Sequence, residues 1–424
     1  MITPGRRLTD VHSDFGRLWG AYAVSAAGSA VSAGALPLVA VAALHVSTFQ
    51  VSLLAALSAV ASAAISLPLG GRIEHRHKRP TMITADGVRC LVLASVPVAA
   101  ALGLLTFVQL CVVGVLQSAA AIAFSAASTA HLKGLVAPSD RLRAAAQFET
   151  TDWISQSVGP PTGGLLIGVF GATATLAVDA LSFLLSALGV RQIRRPEPAP
   201  PARTESRGRA RELMTGWRYI LGHRGLRPLF WNAMLFGGSI MMSSPLVAVL
   251  MLRDLHFTPW QYGLALGLPC LGGVLGSRLT ASLTSRLGPH RVLLLFGVLR
   301  TPWTILLPWL PFGTLGLAAL VAADTGLLVA AGVFNPSFTT YRITATQDHV
   351  MARVVTAWSV SSKTAQPLFI VAGGIIAAYA GVRTAILVAG TLCLASALLL
   401  PWSGLPSPAL EESSAKSAGS TATA

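Results

Sequence analysis

Twelve apolar runs, each long enough to cross a bilayer and separated by short polar turns, leave this chain little freedom of fold. They fall at about 18–44, 50–69, 81–104, 107–132, 144–169, 172–190, 229–252, 260–283, 290–310, 314–336, 355–379 and 382–402. A helix needs about 20 apolar residues to span hydrocarbon, where every backbone N–H and C=O must find its partner without water. Charge is scarce: 11% of the 424 residues are charged and 53% are hydrophobic, with a mean hydropathy of +0.65. A soluble domain carries roughly 25% charge. The expected fold is an all-α integral membrane protein of twelve transmembrane helices. No cleavable signal peptide is read at the start, because the first apolar run is too long and eleven more follow it.

A net charge of +15 suggests nucleic acid only if it lies on one face of a soluble domain. Here its placement along the chain argues for topology instead. Of the 31 Lys and Arg, Arg253 and Arg383 fall in connections from an odd to an even helix, and Lys363 falls within an apolar run. The basic residues otherwise crowd the N-terminus, the connections after even helices and the central linker, and Arg300 is read with them. Positive loops stay on the cytoplasmic side, so both termini are expected in the cytoplasm, with no nucleic-acid partner. Cys90, Cys111, Cys270 and Cys393 sit in apolar runs without metal-type spacing and read as packing residues. The sequence shows no metal or cofactor site, no nucleotide-binding loop of the form Gly-x-x-x-x-Gly-Lys-Ser/Thr and no nucleophile–base pair, so neither an enzyme nor direct ATP drive is expected.

The expected organisation is a cytoplasmic N-terminus at 1–17, a six-helix half at 18–190, a linker at 191–228, a second half at 229–404 and a disordered tail at 405–424. The linker carries Pro196, Pro198, Pro200 and Pro201 and many arginines, with a short amphipathic helix expected near Ala210–Leu221 on the membrane surface. The halves repeat. Arg143, Gly163-Gly164 and Gly171 return as Arg353, Gly373-Gly374 and Gly381, each offset by 210 residues. Gln156 and Gln366 keep that offset, as do Gly28-Ser29 and Gly238-Ser239, and the string Pro-Leu-Val-Ala-Val stands at both 37–41 and 245–249. Six helices therefore recur in parallel.

The basic turn between helices two and three reads Pro68-Leu-Gly-Gly-Arg-Ile-Glu-His-Arg-His-Lys-Arg-Pro-Thr-Met-Ile-Thr-Ala-Asp-Gly-Val-Arg89. Its Gly70, Glu74, Lys78, Arg79, Asp86 and Arg89 resemble the signature loop of major facilitator superfamily transporters, Gly-x-x-x-Asp-Arg-x-Gly-Arg/Lys-Arg/Lys. Glu74 replaces the usual Asp, and His75 and His77 replace Arg and Gly. Gly159-Pro160-Pro161-Thr162-Gly163-Gly164 on helix five resembles the Gly-Pro-x-x-Gly-Gly motif of exporter branches, with Ser155 in place of a further glycine. Phe15-x-x-Leu-Trp19 and Asp86-x-x-Arg89 resemble the branch of macrolide and siderophore exporters. Helix four lacks the arginine of many proton-driven exporters. The resemblance implies that Glu74 gates by capping the start of helix eleven near Arg353–Ala357, with Asp86 and Arg89 extending its charge network; the alternative is that the basic residues merely fix topology.

On helix five, Glu149, Asp152, Gln156, Gly159 and Gly163 share one face, polar and then small. That face can line the substrate path, or Glu149 can be a solvated helix end. Gly159, Pro160, Gly163 and Gly164 form a hinge or a close-packing seam. Deeper in the membrane lie Asp179, Asp324 and Lys363. An ionised carboxylate near a helix centre costs about 2.5–3.5 kcal/mol, so Asp324 must face a cavity, a partner or a proton. The resemblance implies that its helix lines the central cavity, which makes it the leading candidate for a substrate cation or a proton. Lys363 shares a face with Ser359 and Gln366, and an Asp324–Lys363 pair is the structural alternative. Asp179 reads as structural.

The functional expectation is a monomeric secondary transporter of the inner membrane, a proton-coupled antiporter exporting a lipophilic drug-like or secondary-metabolite molecule and so giving antibiotic resistance. A dedicated siderophore or peptide exporter, or an importer of a small solute, stands as the alternative within transport. A non-transporting membrane sensor or scaffold stands as the alternative outside it.

Overall fold

Helices alone carry the backbone, and the described residues hold no strand. The structure is a computed structural model describing residues 14–44, 46–74, 76–137, 140–195, 197 and 209–402, with the backbone alone at 42, 66–74, 133, 141–143, 145–146, 149, 209–213, 348–349 and 352. The expected tail at 405–424, the Pro-rich part of the linker and residues 1–13 of the N-terminal segment lie outside the described residues.

The spans are α1 (Asp14–Val41), α2 (Thr48–Glu74), α3 (Lys78–Ala101), α4 (Phe107–Leu135), α5 (Arg141–Phe170) and α6 (Ala172–Arg191). The second half follows as α7 (Leu226–Asp254), α8 (Pro259–Leu287), α9 (Pro289–Trp309), α10 (Gly313–Thr344), α11 (Asp348–Ala380) and α12 (Val382–Leu399). Eleven helices of the described residues are long and apolar enough to cross a membrane. The remaining one, α5, is 30 residues long; its Gln156 and its Gly-Pro run hold down its hydropathy. Several helices outrun their apolar segments, α10 to Thr344 and α11 back to Asp348. Hydrogen bonding of the backbone continues past the hydrocarbon even where the side chains turn polar.

Breaks follow the sequence. Pro269 interrupts α8, and α9 loosens at Arg300–Trp303 before a 3₁₀ segment at Thr304–Trp309. Proline removes an N–H and its ring clashes with the preceding turn. Both halves open on a helix that ends in a π-turn, Val39–Ala43 in α1 and Leu250–Asp254 in α7. Gly171 and Gly381 start the sixth helix of each half at φ 85° and 88°, a conformation that a β-carbon disfavours. The 210-residue repeat is therefore a repeat of backbone as well as of letters.

Packing follows the same repeat. In the first half α1 lies on α5 and α6, α3 on α4 and α6, and α2 on α4; in the second, α7 lies on α11 and α12 and α10 on α8 and α9. Two seams join the halves, α5 with α8 and α2 with α11. Adding six to each helix number turns one seam into the other. Each half has two apolar cores, one towards each membrane face. In the first half one core gathers Phe15, Leu18, Met82 and Phe124 and the other Val39, Leu93, Leu110 and Leu176. Lipid is as apolar as leucine, so these cores hold by close packing rather than by expulsion of water.

The linker helix, Arg209–Gly222, does not simply lie on the membrane surface. It docks on α11 and on the turn before it: Trp217 Nε1 donates to Ser361 Oγ of α11 at 2.9 Å, Tyr219 O–H donates to the carbonyl of Ala345 in the turn at 3.0 Å, and Ile220 is buried. Arg253 and Arg383, read from the sequence in odd-to-even connections, stand in the last turn of α7 and the first turn of α12, at the opposite end of the bundle. Arg253 donates to the Val46 carbonyl across the halves, and Arg383 Nη1 donates to the Pro308 carbonyl at 2.8 Å.

Candidate functional site

The basic turn after α2 is bound within its own half. The side chains of Gly70 and Glu74 lie outside the described residues, as does all of His75. At the start of α3, the amides of Lys78 and Arg79 both donate to the Glu197 carboxylate, the latter at 3.2 Å, and His77 Nδ1 lies 3.8 Å from it. A carboxylate there meets the exposed N–H groups and positive dipole end of the helix. Arg79 Nη2 also donates to the Arg191 carbonyl at 3.1 Å. Nearby Asp14 ties the stretch after α6 to the start of α1, accepting from the Arg194 and Arg195 amides, each at 3.0 Å, and from Arg17 at 3.0 Å. Glu197 and Asp14 were not among the sequence candidates; they are acids in basic surroundings, the only signal available. The Arg353–Ala357 stretch of α11, where the resemblance puts the partner of Glu74, packs against Gly216 of the linker helix.

The small residues of α5 divide between two neighbours. A β-carbon on Gly159 or Gly163 would overlap Ala30 or the Val31 carbonyl of α1, whereas one on Gly164 would overlap the Pro259 carbonyl of α8. The repeat reproduces this: Gly373 abuts Met242 of α7, and Gly374 abuts Ser52 of α2. The first glycine of each pair sets packing within a half and the second sets a seam. Both seam glycines stand at the end of the bundle away from the linker. On the polar part of α5, the Asp152 carboxylate accepts the Tyr22 hydroxyl of α1 at 2.7 Å, and Thr151 Oγ1 accepts Trp19 Nε1 at 3.0 Å. Gln156 is exposed, and the Glu149 side chain lies outside the described residues.

Asp86 and Arg89 are not on the turn but two to three turns inside α3, 0% and 9% exposed. Arg89 reaches across the first half. Its Nη1 donates to Ser25 Oγ at 3.2 Å, its Nη2 to Ser29 Oγ at 3.0 Å and its Nε to Gln117 Oε1 at 3.2 Å. The guanidinium lies 3.7 Å from the Phe183 ring centroid. Asp86 Oδ1 is 3.6 Å from Arg89 Nη1. Asp179 of α6, 3% exposed, accepts the Ser32 hydroxyl and, at 3.1 Å, the Ser182 hydroxyl. A cavity of about 260 Å³ borders Ser29, Ser32, Arg89, Gln117 and Asp179. This polar belt lies between the two apolar cores of the first half, and Asp179 is part of it.

In the second half Asp324 is partly buried on α10, near Cys270 of α8. Lys363 and Gln366 are partly buried on α11. Among the described residues no ion pair joins Asp324 to Lys363. Arg300, read from the sequence with the loop cations, is instead inside the half and 4% exposed. It donates to Asn232 Oδ1 at 2.6 Å and lies 3.9 Å and 3.6 Å from the Phe236 and Phe334 ring centroids. An apolar groove of about 740 Å³, lined by Trp217, Trp231, Met234 and Phe369 among others, opens between α7, α11 and the linker helix.

Comparison with known proteins agrees with this architecture. A family model described as Major Facilitator Superfamily matches residues 18–365. A curated relative, "Multidrug efflux pump Tap" of Mycolicibacterium fortuitum, is 26% identical over 355 residues, covering 80% of this chain and 84% of that protein. The crystal structure of a bacterial homologue of the iron transporter ferroportin in an inward-facing state superposes with a TM-score of 0.69 at 14% identity, covering 90% of this chain and 98% of that one. The nucleoside transporter NupG superposes with a TM-score of 0.69 at 12% identity, covering 90% and 96%. At such identities the two structures speak for the fold.

Proposed function

This chain belongs to the Major Facilitator Superfamily, and we propose that within it the protein is a proton-coupled exporter of lipophilic drug-like or secondary-metabolite molecules. It is a multi-pass membrane transporter; in this reading it works as a monomer in the bacterial plasma membrane with both termini cytoplasmic. The observation that carries the reading is Asp324, a partly buried carboxylate on α10 with no ion-pair partner among the described residues. A charge held in hydrocarbon without a fixed partner is a functional group by default, and here it is free to meet a cationic substrate or a proton. The name of the curated relatives supports export of drugs.

The two seams supply the movement. Each is a glycine-tight contact at the end away from the linker, and the repeat exchanges one seam for the other. Rocking about them opens one end of the bundle while closing the other. Pro160, between Gly159 and the Gly163-Gly164 pair, removes a backbone bond where α5 must bend. Glu74, at the end of α2, acts as the gating carboxylate of the linker side, with Lys78 and Arg79 beside it. Lys363, Gln366, Gln156 and the Tyr22-held Asp152 add polarity to a path otherwise suited to apolar cargo.

Efflux of ethidium and of a panel of lipophilic antibiotics from energised cells tests this, comparing wild type with Asp324→Asn with and without a protonophore. The expected outcome is efflux that the protonophore abolishes and that Asp324→Asn loses at normal membrane levels. Equal retention by wild-type and empty-vector cells would turn the reading to a dedicated siderophore or peptide exporter.

A further inference from the structure

The polar belt of the first half holds two carboxylates and one guanidinium. Asp86 and Arg89 come from α3 and Asp179 from α6. Among the described residues the surroundings supply no further charge: α1 contributes Ser25, Ser29 and Ser32, α4 contributes Gln117 and Ser118, α6 contributes Ser182, Ser186 and Phe183, and the Cys90 thiol of α3 is the one other titratable neighbour described. Fully ionised, the group carries one net negative charge inside the membrane. Hydrocarbon does not tolerate such an excess.

The hydrogen bonds show where the imbalance falls. Every Arg89 bond runs to a neutral acceptor, Ser25, Ser29 or Gln117. Asp179 is satisfied by two hydroxyls, from Ser32 and Ser182. Asp86 is the least satisfied: both its oxygens are buried without a hydrogen-bond donor among the described residues, Arg89 is 3.6 Å away, and the neighbouring Ser186 hydroxyl is likewise buried without a partner. The adjoining cavity of about 260 Å³ has room for roughly eight waters at about 30 Å³ each; Leu36, Leu93, Leu176 and Phe183 form its apolar wall, and Ser29, Ser32, Gln117 and Asp179 supply polar groups that would hold water. It borders Asp179 and Arg89 but not Asp86, so water in it would meet the group at Asp179.

We propose that Asp86 and Asp179 together bind a single proton against Arg89, and that this pair, rather than Asp324, is the coupling-proton site. The proton comes from water in the cavity and returns there, and no bond other than O–H is made or broken. Bound, it leaves one carboxylate for one guanidinium and a neutral belt. Asp324 is then left to contact the cargo. Proton binding stands without the export reading, and only its use in transport rests on that reading.

Infrared difference spectroscopy of the purified protein in lipid nanodiscs, titrated from alkaline to acidic buffer in H₂O and D₂O, reads the carbonyl stretch of a protonated carboxylic acid directly. Wild type should gain such a band, shifted in D₂O. Asp86→Asn and Asp179→Asn should each lose it, because either leaves a balanced pair that needs no proton. Asp324→Asn should keep it, and Arg89→Gln should enlarge it, since two carboxylates then lack their cation. A band that persists unchanged in either Asp86→Asn or Asp179→Asn, or that vanishes in Asp324→Asn, overturns the proposal. The two Asp variants are read separately, so failure of one to fold leaves the other decisive. Efflux that ignores a protonophore while the band behaves as described would overturn proton-coupled export and leave the proton site standing.

Discussion

Among the described residues each half of this transporter buries one arginine at nearly the same place in the repeat, and the two are held in opposite ways. Arg89 is one residue short of repeat register with Arg300, and Ser29 and Ser186 of the first belt return as Ser239 and Ser396 in the second. The carboxylates do not return. Asp179 becomes Ala389 and Asp86 becomes Phe296, both buried. In place of charge, Arg300 has aromatic faces on both sides and the Asn232 amide, itself fixed by donating to the Ser396 carbonyl at 2.6 Å. A desolvated guanidinium–ring contact is worth about 2 kcal/mol. One half has a belt that can gain and lose a proton; the other has a clamp with no carboxylate beside it among the described residues and only the Cys393 thiol as a described titratable neighbour. Duplication kept the cation, and the two halves solved its burial by different chemistry.

The largest test of that contrast is Arg300→Ala. It empties the space between Phe236 and Phe334 and strands a buried Asn232 oxygen, so a loss of about 3–5 kcal/mol is expected. Thermal unfolding in detergent should show it, to the same extent in acidic and alkaline buffer. Arg89→Ala should cost less, about 2–4 kcal/mol, and its cost should depend on pH. With the cation gone, the stranded Asp86 and Asp179 can be buried neutral in acid but not in alkali, so stability should fall as pH rises. Equal, pH-independent losses for the two variants would erase the distinction between belt and clamp.

A smaller contrast lies in the paired glycines. Gly163→Ala drives a β-carbon into the Val31 backbone, which cannot yield, whereas Gly373→Ala first meets the Met242 side chain, which can partly turn aside. The first should cost about 2–3 kcal/mol and the second nearer 1, read from the same melts. The smallest expected effect concerns the indole bonds. Trp19 and Trp217 donate to repeat-related hydroxyls, Thr151 and Ser361, from α1 in one half and from the linker helix in the other. Thr151→Val and Ser361→Ala should each cost about 1 kcal/mol. Only Ser361→Ala should make the linker more susceptible to limited proteolysis.

The spans and their repeat were legible because hydrocarbon imposes a length and a hydropathy that no context alters. The glycine pairs were legible for a similar reason: an offset of 210 residues needs no structure to count. Asp86 and Arg89 could be noticed as neighbours three apart on a helix, but their depth and their partner Asp179, more than ninety residues on, could not. Periodicity says which face a residue shares, not which helix meets that face. Arg300 was misread because a cation at a proline-broken stretch of α9 looks like a loop residue until Phe236 and Phe334 close over it. Glu197 caps the start of α3 and Asp14 holds the stretch after α6, both across long sequence separations, so no local spacing signals them.

The different partners of the two arginines also bear on biogenesis. Arg89 enters the bilayer with Asp86 three residues away on the same helix, so α3 brings its own counter-charge to the insertion machinery. Arg300 has no such companion: Asn232 and Phe236 lie on α7, already synthesised, and Phe334 comes on α10, not yet made. A lone arginine at a helix centre costs about 2.5–3.5 kcal/mol on insertion, so α9 has reason to wait at the translocon until α10 emerges. The first half can be released helix by helix, while the second has to be delivered as a group.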